Sequence, residues 1–303
     1  MPSRGKILVI RGGAIGDFIL TIPVLSALRR QFPETHLEVL GYPHIANLAL
    51  AGGLVEQVRS IESRSLANFF ARGGELSEEL RDYFSGFAII ISYLYDPDKI
   101  FQTNVAICSK AQFIAGPHRP DENLKLHATQ TFLQPMERLA IFDADPIPRL
   151  SLNTQPKTLN QIALHPGSGS ERKNWPEKKW SELLDRILSE TKFNLVLVGG
   201  EAETARLKML AANLPDDRFE LVANLPLPDL AARLQTCVSF VGHDSGISHL
   251  AAALNLPGLV LWGETVEEIW RPASPRVKII RAAEGLAGIS VRQVADEIKK
   301  LDV

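Results

Sequence analysis

Residues 6–33, KILVIRGGAIGDFILTIPVLSALRRQFP, decide the fold. ILVI is a short apolar run rich in β-formers that gives way to a glycine-rich turn, and apolar positions then recur at helical spacing. A buried strand that runs through such a turn into an amphipathic helix is the opening unit of a nucleotide-binding α/β fold. The loop backbone can approach a ligand at the positive end of the helix, and Asp17 sits at that mouth. Gly12, Gly13 and Gly16 suit this role, yet they equally suit a plain tight turn in which Asp17 caps or neutralises the helix start.

Working outward, HLEVLG (36–41), AIIISYL (88–94) and QFIAG (112–116) are further short apolar runs separated by helix-period stretches, which reads as a parallel sheet. A proline-spaced segment at roughly 145–157 interrupts the pattern, which restarts with QIALHPG, NLVLVGG, FELV, CVSFVG and GLVLWG. Two Rossmann-like domains are therefore expected, 1–155 and 156–303, facing across a cleft. Pro176 suits the first turn of a helix whose Trp180, Leu183, Leu184, Ile187 and Leu188 form one apolar face. The last stretch, SVRQVADEIKKLDV, reads as a helix that could pack back on the first domain.

Three loops of the second half carry candidate chemistry. HPGSGSERKNWP (165–176) follows a strand and precedes a helix, and its Ser168, Gly169, Arg172 and Lys173 suit a diphosphate. The bland alternative makes His165 a strand-end residue and Lys173 a solvated charge. FVGHDSGISHLAAAL places HDSG between a buried strand and an alanine-rich helix, so that the amides of Ser245 and Gly246 can face an anion; Asp244 and Ser245 also suit a simple N-cap. His249, one turn beyond Ser245, lies on the same helix face. Glu203, in GGEAE after the strand NLVLV, is placed to meet ribose hydroxyls or merely to start a helix.

Composition removes several classes. A net charge of −2 with 45% hydrophobic residues gives no field to hold a phosphate backbone, so nucleic acid is not expected as a partner. Cys108 and Cys237 match no metal or redox spacing, which points to a reducing cytoplasm. No apolar run reaches 18 residues. GxSxG is absent, the seven histidines are scattered, and the acidic pairs Asp96/Asp98 and Asp143/Asp145 sit beside prolines that favour turns. GxGxxG is not met as written and Glu38 lies inside its strand run, so the signal for NAD is weak.

Taken together, ILVIRGGAIGDFILTIPVLSALRRQFP, HPGSGSERKNWPEKKWSELL, VGHDSGISHLAAAL and LWGET resemble glycosyltransferase family 9, the lipopolysaccharide heptosyltransferases. The resemblance implies the GT-B fold, an inverting transfer with no cofactor and no bound metal, an ADP-heptose donor, and a lipopolysaccharide-core or related glycan acceptor reached with peripheral contact at the inner membrane. By position it makes Asp17 the catalytic base beside an acceptor-side loop of Gly12, Gly13 and Gly16. Lys173 becomes the phosphate-binding lysine with Ser168 and Gly169 on its loop, Glu203 a ribose-binding acid, Asp244, Ser245 and Gly246 the diphosphate cradle, and His249 the histidine closing that motif. Residues 60–130 match more loosely; Arg59, Arg64, Arg72, His118, Arg119 and Lys125 are the candidate acceptor contacts there or surface charge. Other nucleotide-sugar donors, an NAD-linked oxidoreductase and a non-catalytic nucleotide binder stand as the competing readings.

Overall fold

A computed structural model describes residues 5–152 and 159–301, and the chain divides into two compact units, Met1–Pro146 and Ile147–Val303. Position 155/156, where the sequence suggests a boundary, lies outside the described residues.

The first unit runs β1 (Lys6–Arg11), α1 (Ile15–Ile19), α2 (Ile22–Gln31), β2 (His36–Gly41), α3 (Pro43–Ala51), β3 (Gln57–Ser60), α4 (Glu78–Ser85), β4 (Ile89–Ser92), α5 (Ile100–Cys108), β5 (Gln112–Ala115) and α6 (Ala128–Leu133). Its five strands are all parallel in the order β3-β2-β1-β4-β5. β1 is buried from Ile7 to Arg11 because helices cover both faces of the sheet, which is why it reads as an unbroken apolar run. On one face Leu8, Ile10, Leu40 and Ile90 pack against Phe69, Phe84 and Phe101.

The second unit runs β6 (Gln161–Leu164), α7 (Glu177–Glu190), β7 (Asn194–Gly199), α8 (Thr204–Ala211), β8 (Phe219–Ala223), α9 (Leu227–Leu234), β9 (Ser239–His243), α10 (Gly246–Ala253), β10 (Gly258–Leu261), α11 (Glu267–Trp270), β11 (Val277–Ile280) and α12 (Val291–Ile298). Its six strands are also parallel, in the order β11-β10-β9-β6-β7-β8. Trp180, Leu183, Leu184 and Ile187 of α7 are buried on this sheet, with Val291, Val294, Ala295 and Ile298 of α12 in the same core. Pro176 stands one residue before α7 in extended conformation, where the sequence suggests a first-turn place. Its carbonyl accepts from Lys179 and Trp180 amides at 2.9 and 3.2 Å, so it serves the helix start as an acceptor.

In each sheet the strand order reverses direction once, between β1 and β4 and between β6 and β9. Ligands of open α/β sheets bind beyond the carboxyl ends of the strands at such a reversal. The loops leaving β1 and β4 mark the place in the first unit, and those leaving β6 and β9 mark it in the second. Among the described residues no helix is long and apolar enough to cross a membrane.

Candidate functional site

At the reversal of the first sheet, β1 ends in Arg11 and the chain turns through Gly12–Ala14 into α1. Gly13 holds φ +102°, and a Cβ there would stand 2.9 Å from Asp17 Oδ2, so both the backbone and the carboxylate call for glycine. Asp17 is the third residue of α1; its Oδ2 accepts the Ala14 amide at 3.0 Å, the capping geometry that the sequence left open beside a catalytic one. The carboxylate is one-third exposed, at 33%, and so keeps a solvent-facing side.

Arg11, which sequence reasoning passed over, lies directly beneath it at 3% exposure. Its guanidinium donates to the His118 carbonyl (3.0 Å) and the Asp17 carbonyl (3.3 Å), lies 3.7 Å from Asp17 Oδ1, and sits 4.4 Å from the centre of the Phe132 ring. Burial pushes its pKa down, and the Asp17 charge pulls it back. Its Nε has no hydrogen-bond partner among the described residues. The signal for it was an arginine closing an otherwise apolar buried strand.

Of the candidate acceptor contacts, Arg59 pairs with Glu79 at 2.7 Å, Arg72 with Asp98 at 3.2 Å and Arg119 with Glu122 at 2.9 Å, while Arg64 and Lys125 are exposed. His118 is tied to the Asp17 element, its backbone carbonyl accepting from Arg11. Its ring lies 4.7 Å from that of Tyr95, and both line a cavity of about 250 Å³ at the ends of β4 and β5 with Asp96, Lys99 and Gln102. Asp96 accepts the Phe101 and Gln102 amides at 3.2 and 3.0 Å, which accounts for the first acidic pair as a helix-start turn. Among the described residues no cluster of three or more His, Cys, Asp or Glu side chains is arranged to hold a metal ion.

The second unit brings together loops far apart in sequence. Lys173 Nζ lies 2.6 Å from Asp244 Oδ2, and Thr265 Oγ1 donates to the same oxygen. Asp244 is nearly buried, with 10% of its side chain exposed, whereas Lys173 keeps 41%, so the ammonium is held from one side and open on the other. Asp244 therefore does not cap α10; Ser245 does, its Oγ accepting the Ser248 amide at 3.4 Å. Gly246 opens the helix, where first-turn amides have no partner within it. His249, in the second turn, is buried and donates its amide to the Ser245 carbonyl at 3.3 Å.

Ser168 Oγ lies 2.7 Å from Asn174 Oδ1 and 2.8 Å from the Ser170 carbonyl, and the exposed Gly169 follows with φ +73°. Glu203 reaches back to the Gly200 amide at 2.9 Å, the helix-start role named beside ribose binding. Its side chain also rests on Gly167, where a Cβ would fall 2.1 Å from Glu203 Cγ, so the β6 and β7 loops meet at that glycine. Arg206 binds Glu171 (2.8 Å) and Glu177 (3.1 Å) and braces the same loop from α8.

Two further buried histidines, at the ends of β6 and β9, lie under these loops. His165 Nδ1 is 3.3 Å from Ser245 Oγ, and burial pushes its pKa down to about 4. His243, also missed from sequence, ends β9: its Nε2 accepts the Trp175 amide at 2.8 Å and its Nδ1 lies 3.2 Å from the Gly167 carbonyl. Burial holds its pKa down, to about 3, against the opposing effect of the Gly167 bond.

The model of glycosyltransferase family 9 (heptosyltransferase) matches residues 124–297, more than half of the chain. A lipopolysaccharide heptosyltransferase 3 from Escherichia coli is 25% identical over 86% of this chain and 84% of its own. A family 9 glycosyltransferase structure from Veillonella parvula superposes with a TM-score of 0.79 at 17% identity, covering 98% of this chain and 97% of that one. An E. coli heptosyltransferase solved with ADP gives 0.76 at 17% identity, covering 97% and 99%. The fold they share with this chain is GT-B, built of two Rossmann-like units.

Proposed function

The chain belongs to glycosyltransferase family 9, the heptosyltransferases, and is a glycosyltransferase; on that footing we propose that it transfers heptose from ADP-heptose to a lipopolysaccharide inner-core sugar or related glycan, with inversion and without a metal. The observation that carries this reading is the second unit's reversal point, where Lys173, held by Asp244 but open on its far side, stands with the start of α10 at Ser245 and Gly246. A cation beside a helix N-terminus suits a diphosphate, the leaving group of a nucleotide sugar. That a similar heptosyltransferase was solved with ADP supports an adenine nucleotide as the donor's leaving group.

In this reaction Asp17 takes the proton of the acceptor hydroxyl while its oxygen attacks the anomeric carbon. The bond from that carbon to the β-phosphate oxygen breaks, its electron pair leaves with ADP, and Lys173 with the Ser245 and Gly246 amides stabilises the charge. Asp244 serves the diphosphate by aiming Lys173, since a carboxylate facing phosphate directly would repel it. Glu203 and His249 complete the donor side at the ribose and beneath the phosphates. A lipid-borne acceptor would bring the enzyme to the cytoplasmic face of the inner membrane as a peripheral protein.

An NAD reading finds less support, because Glu38 is buried in mid-strand and accepts the Tyr83 hydroxyl at 2.6 Å instead of standing free at a strand end for a ribose. The test is calorimetry and thermal shift with ADP, UDP, GDP and NAD. Stabilisation by ADP alone agrees with the proposal; stabilisation by UDP or GDP alone moves the donor assignment, and by NAD alone ends it.

A further inference from the structure

His243 cannot touch a ligand, being fully buried at 0% exposure, yet it holds the loop of Lys173 at both ends. The Trp175 amide points at Nε2, so that nitrogen is the acceptor and Nδ1 carries the proton donated to the Gly167 carbonyl. Between those two points run residues 168–174, which include Ser168, Gly169 and Lys173. The neighbouring residue, Asp244, holds the same loop near its Trp175 end through Lys173 Nζ. The imidazole is itself fixed: its edge meets the Trp180 ring at 5.4 Å and 88°, and its backbone carbonyl accepts from Ser248 Oγ of α10. Trp175 is pinned in turn, its indole lying 5.6 Å from that of Trp180 and donating to the Ile289 carbonyl at 3.2 Å.

We infer that His243 is a positioning residue for donor binding, a buried clamp that joins the two ends of the 168–174 loop and so fixes where Lys173 presents its charge to a nucleoside diphosphate. Only a side chain offering a donor and an acceptor from opposite edges meets both Gly167 and Trp175. Removing either capacity leaves a buried backbone group unpaired, and the loop then leaves its geometry to find water. The inference rests on the donor reading given above, and adds to it a residue that works without contacting the substrate.

The test compares ADP binding, by calorimetry, in the wild type, His243→Phe, His243→Gln, Lys173→Met and the double variant His243→Phe/Lys173→Met, with thermal unfolding followed on each. Phenylalanine keeps the packing on Trp180 and loses both bonds; glutamine keeps a donor and an acceptor. His243→Phe should weaken ADP by roughly tenfold or more and raise the KM for the donor while that for the acceptor stays put, and His243→Gln should recover most of the loss. The effect of His243→Phe should shrink in the Lys173→Met background, because the clamp acts through that lysine.

Wild-type ADP affinity in His243→Phe, or a loss equally large with and without Lys173, overturns the clamp. Where His243→Phe does not fold, His243→Asn, whose shorter amide reaches one partner at most, replaces it, and ADP affinity equal to that of His243→Gln overturns the inference. If the wild type does not bind ADP, or Lys173→Met binds it as tightly, the donor reading of the loop fails and takes the clamp with it. Weakening by Lys173→Met without weakening by His243→Phe leaves that reading standing and removes the clamp alone.

Discussion

Replacing Asp17 by asparagine separates the two roles that its position allows. The carboxylate makes one hydrogen bond, to the Ala14 amide at 3.0 Å, and one longer ionic contact, 3.7 Å to Arg11, while one-third of it faces solvent. An asparagine oxygen can keep the first. The second is long and partly open to solvent, but its loss leaves the buried Arg11 guanidinium without its carboxylate, so it costs about 1–3 kcal/mol. That lowers Tm by a few degrees. Turnover should respond on another scale, since a positioned general base is worth roughly 10² to 10⁴ in rate. Asp17→Ala should lose rate to the same extent and in addition lose the cap, a further ~1 kcal/mol. Steady-state release of nucleotide with both substrates, ADP calorimetry and thermal unfolding together read these quantities. An asparagine variant with a kcat close to that of the wild type would refute the base assignment and leave Asp17 as a cap.

Two further predictions concern the same element. Arg11→Met should lower kcat by about tenfold or more while ADP affinity is unchanged, and Arg11→Lys should restore part of it, because the guanidinium ties the Asp17 turn to the His118 carbonyl; equal activity in the methionine and lysine variants would count against that role. Gly13→Ala must adopt φ +102° and push against Asp17 Oδ2, at a cost of about 1–3 kcal/mol, so Tm and kcat should fall together; a Tm and kcat at wild-type level would show that the turn relaxes without strain.

The sequence conveyed the strands buried on both faces, because continuous apolar runs such as ILVI and NLVLV have few other uses in a chain with glycine-ended turns. Of the four edge strands it conveyed QFIA of β5 and FELV of β8 but not QVRS of β3 and VKII of β11, which are four residues long and carry charged side chains where one side meets no neighbour. Glycine and serine marked the loops at both reversal points, as their backbone conformations and caps are local properties. What local pattern could not convey is partnership across the fold. The pairing of Lys173 with Asp244, the bracket made by His243, and the burial of Arg11 under Asp17 depend on which loops the strand order places side by side.

Two of the buried histidines, His165 and His243, also shape how the protein answers to acid. Folded, His165 and His243 are held down to pKa values of about 4 and 3 by burial, whereas in the unfolded chain each returns to about 6.5. Below pH 6.5 the unfolded state therefore binds protons that the folded state refuses, so stability rises with pH through this window and is lost as pH falls. Each histidine contributes a slope approaching 1.4 kcal/mol per pH unit, or about 2.7 for the pair. Between pH 6 and 4.5 the loss reaches roughly 4 kcal/mol, a large share of the 5–15 kcal/mol typical of a folded domain. Surface carboxylates such as Glu171, held below its usual range by its bond to Arg206, add their share only at lower pH, which leaves the window above about 4.5 to the histidines. Thermal unfolding from pH 7 to 4.5 should show Tm falling steeply, and His243→Gln, which cannot titrate, should remove about half of the slope that this pair contributes. A Tm level across that range, or a slope indifferent to His243→Gln, would mean that these rings reach water in the folded protein, and a ring that reaches water cannot hold Gly167 and Trp175 in place.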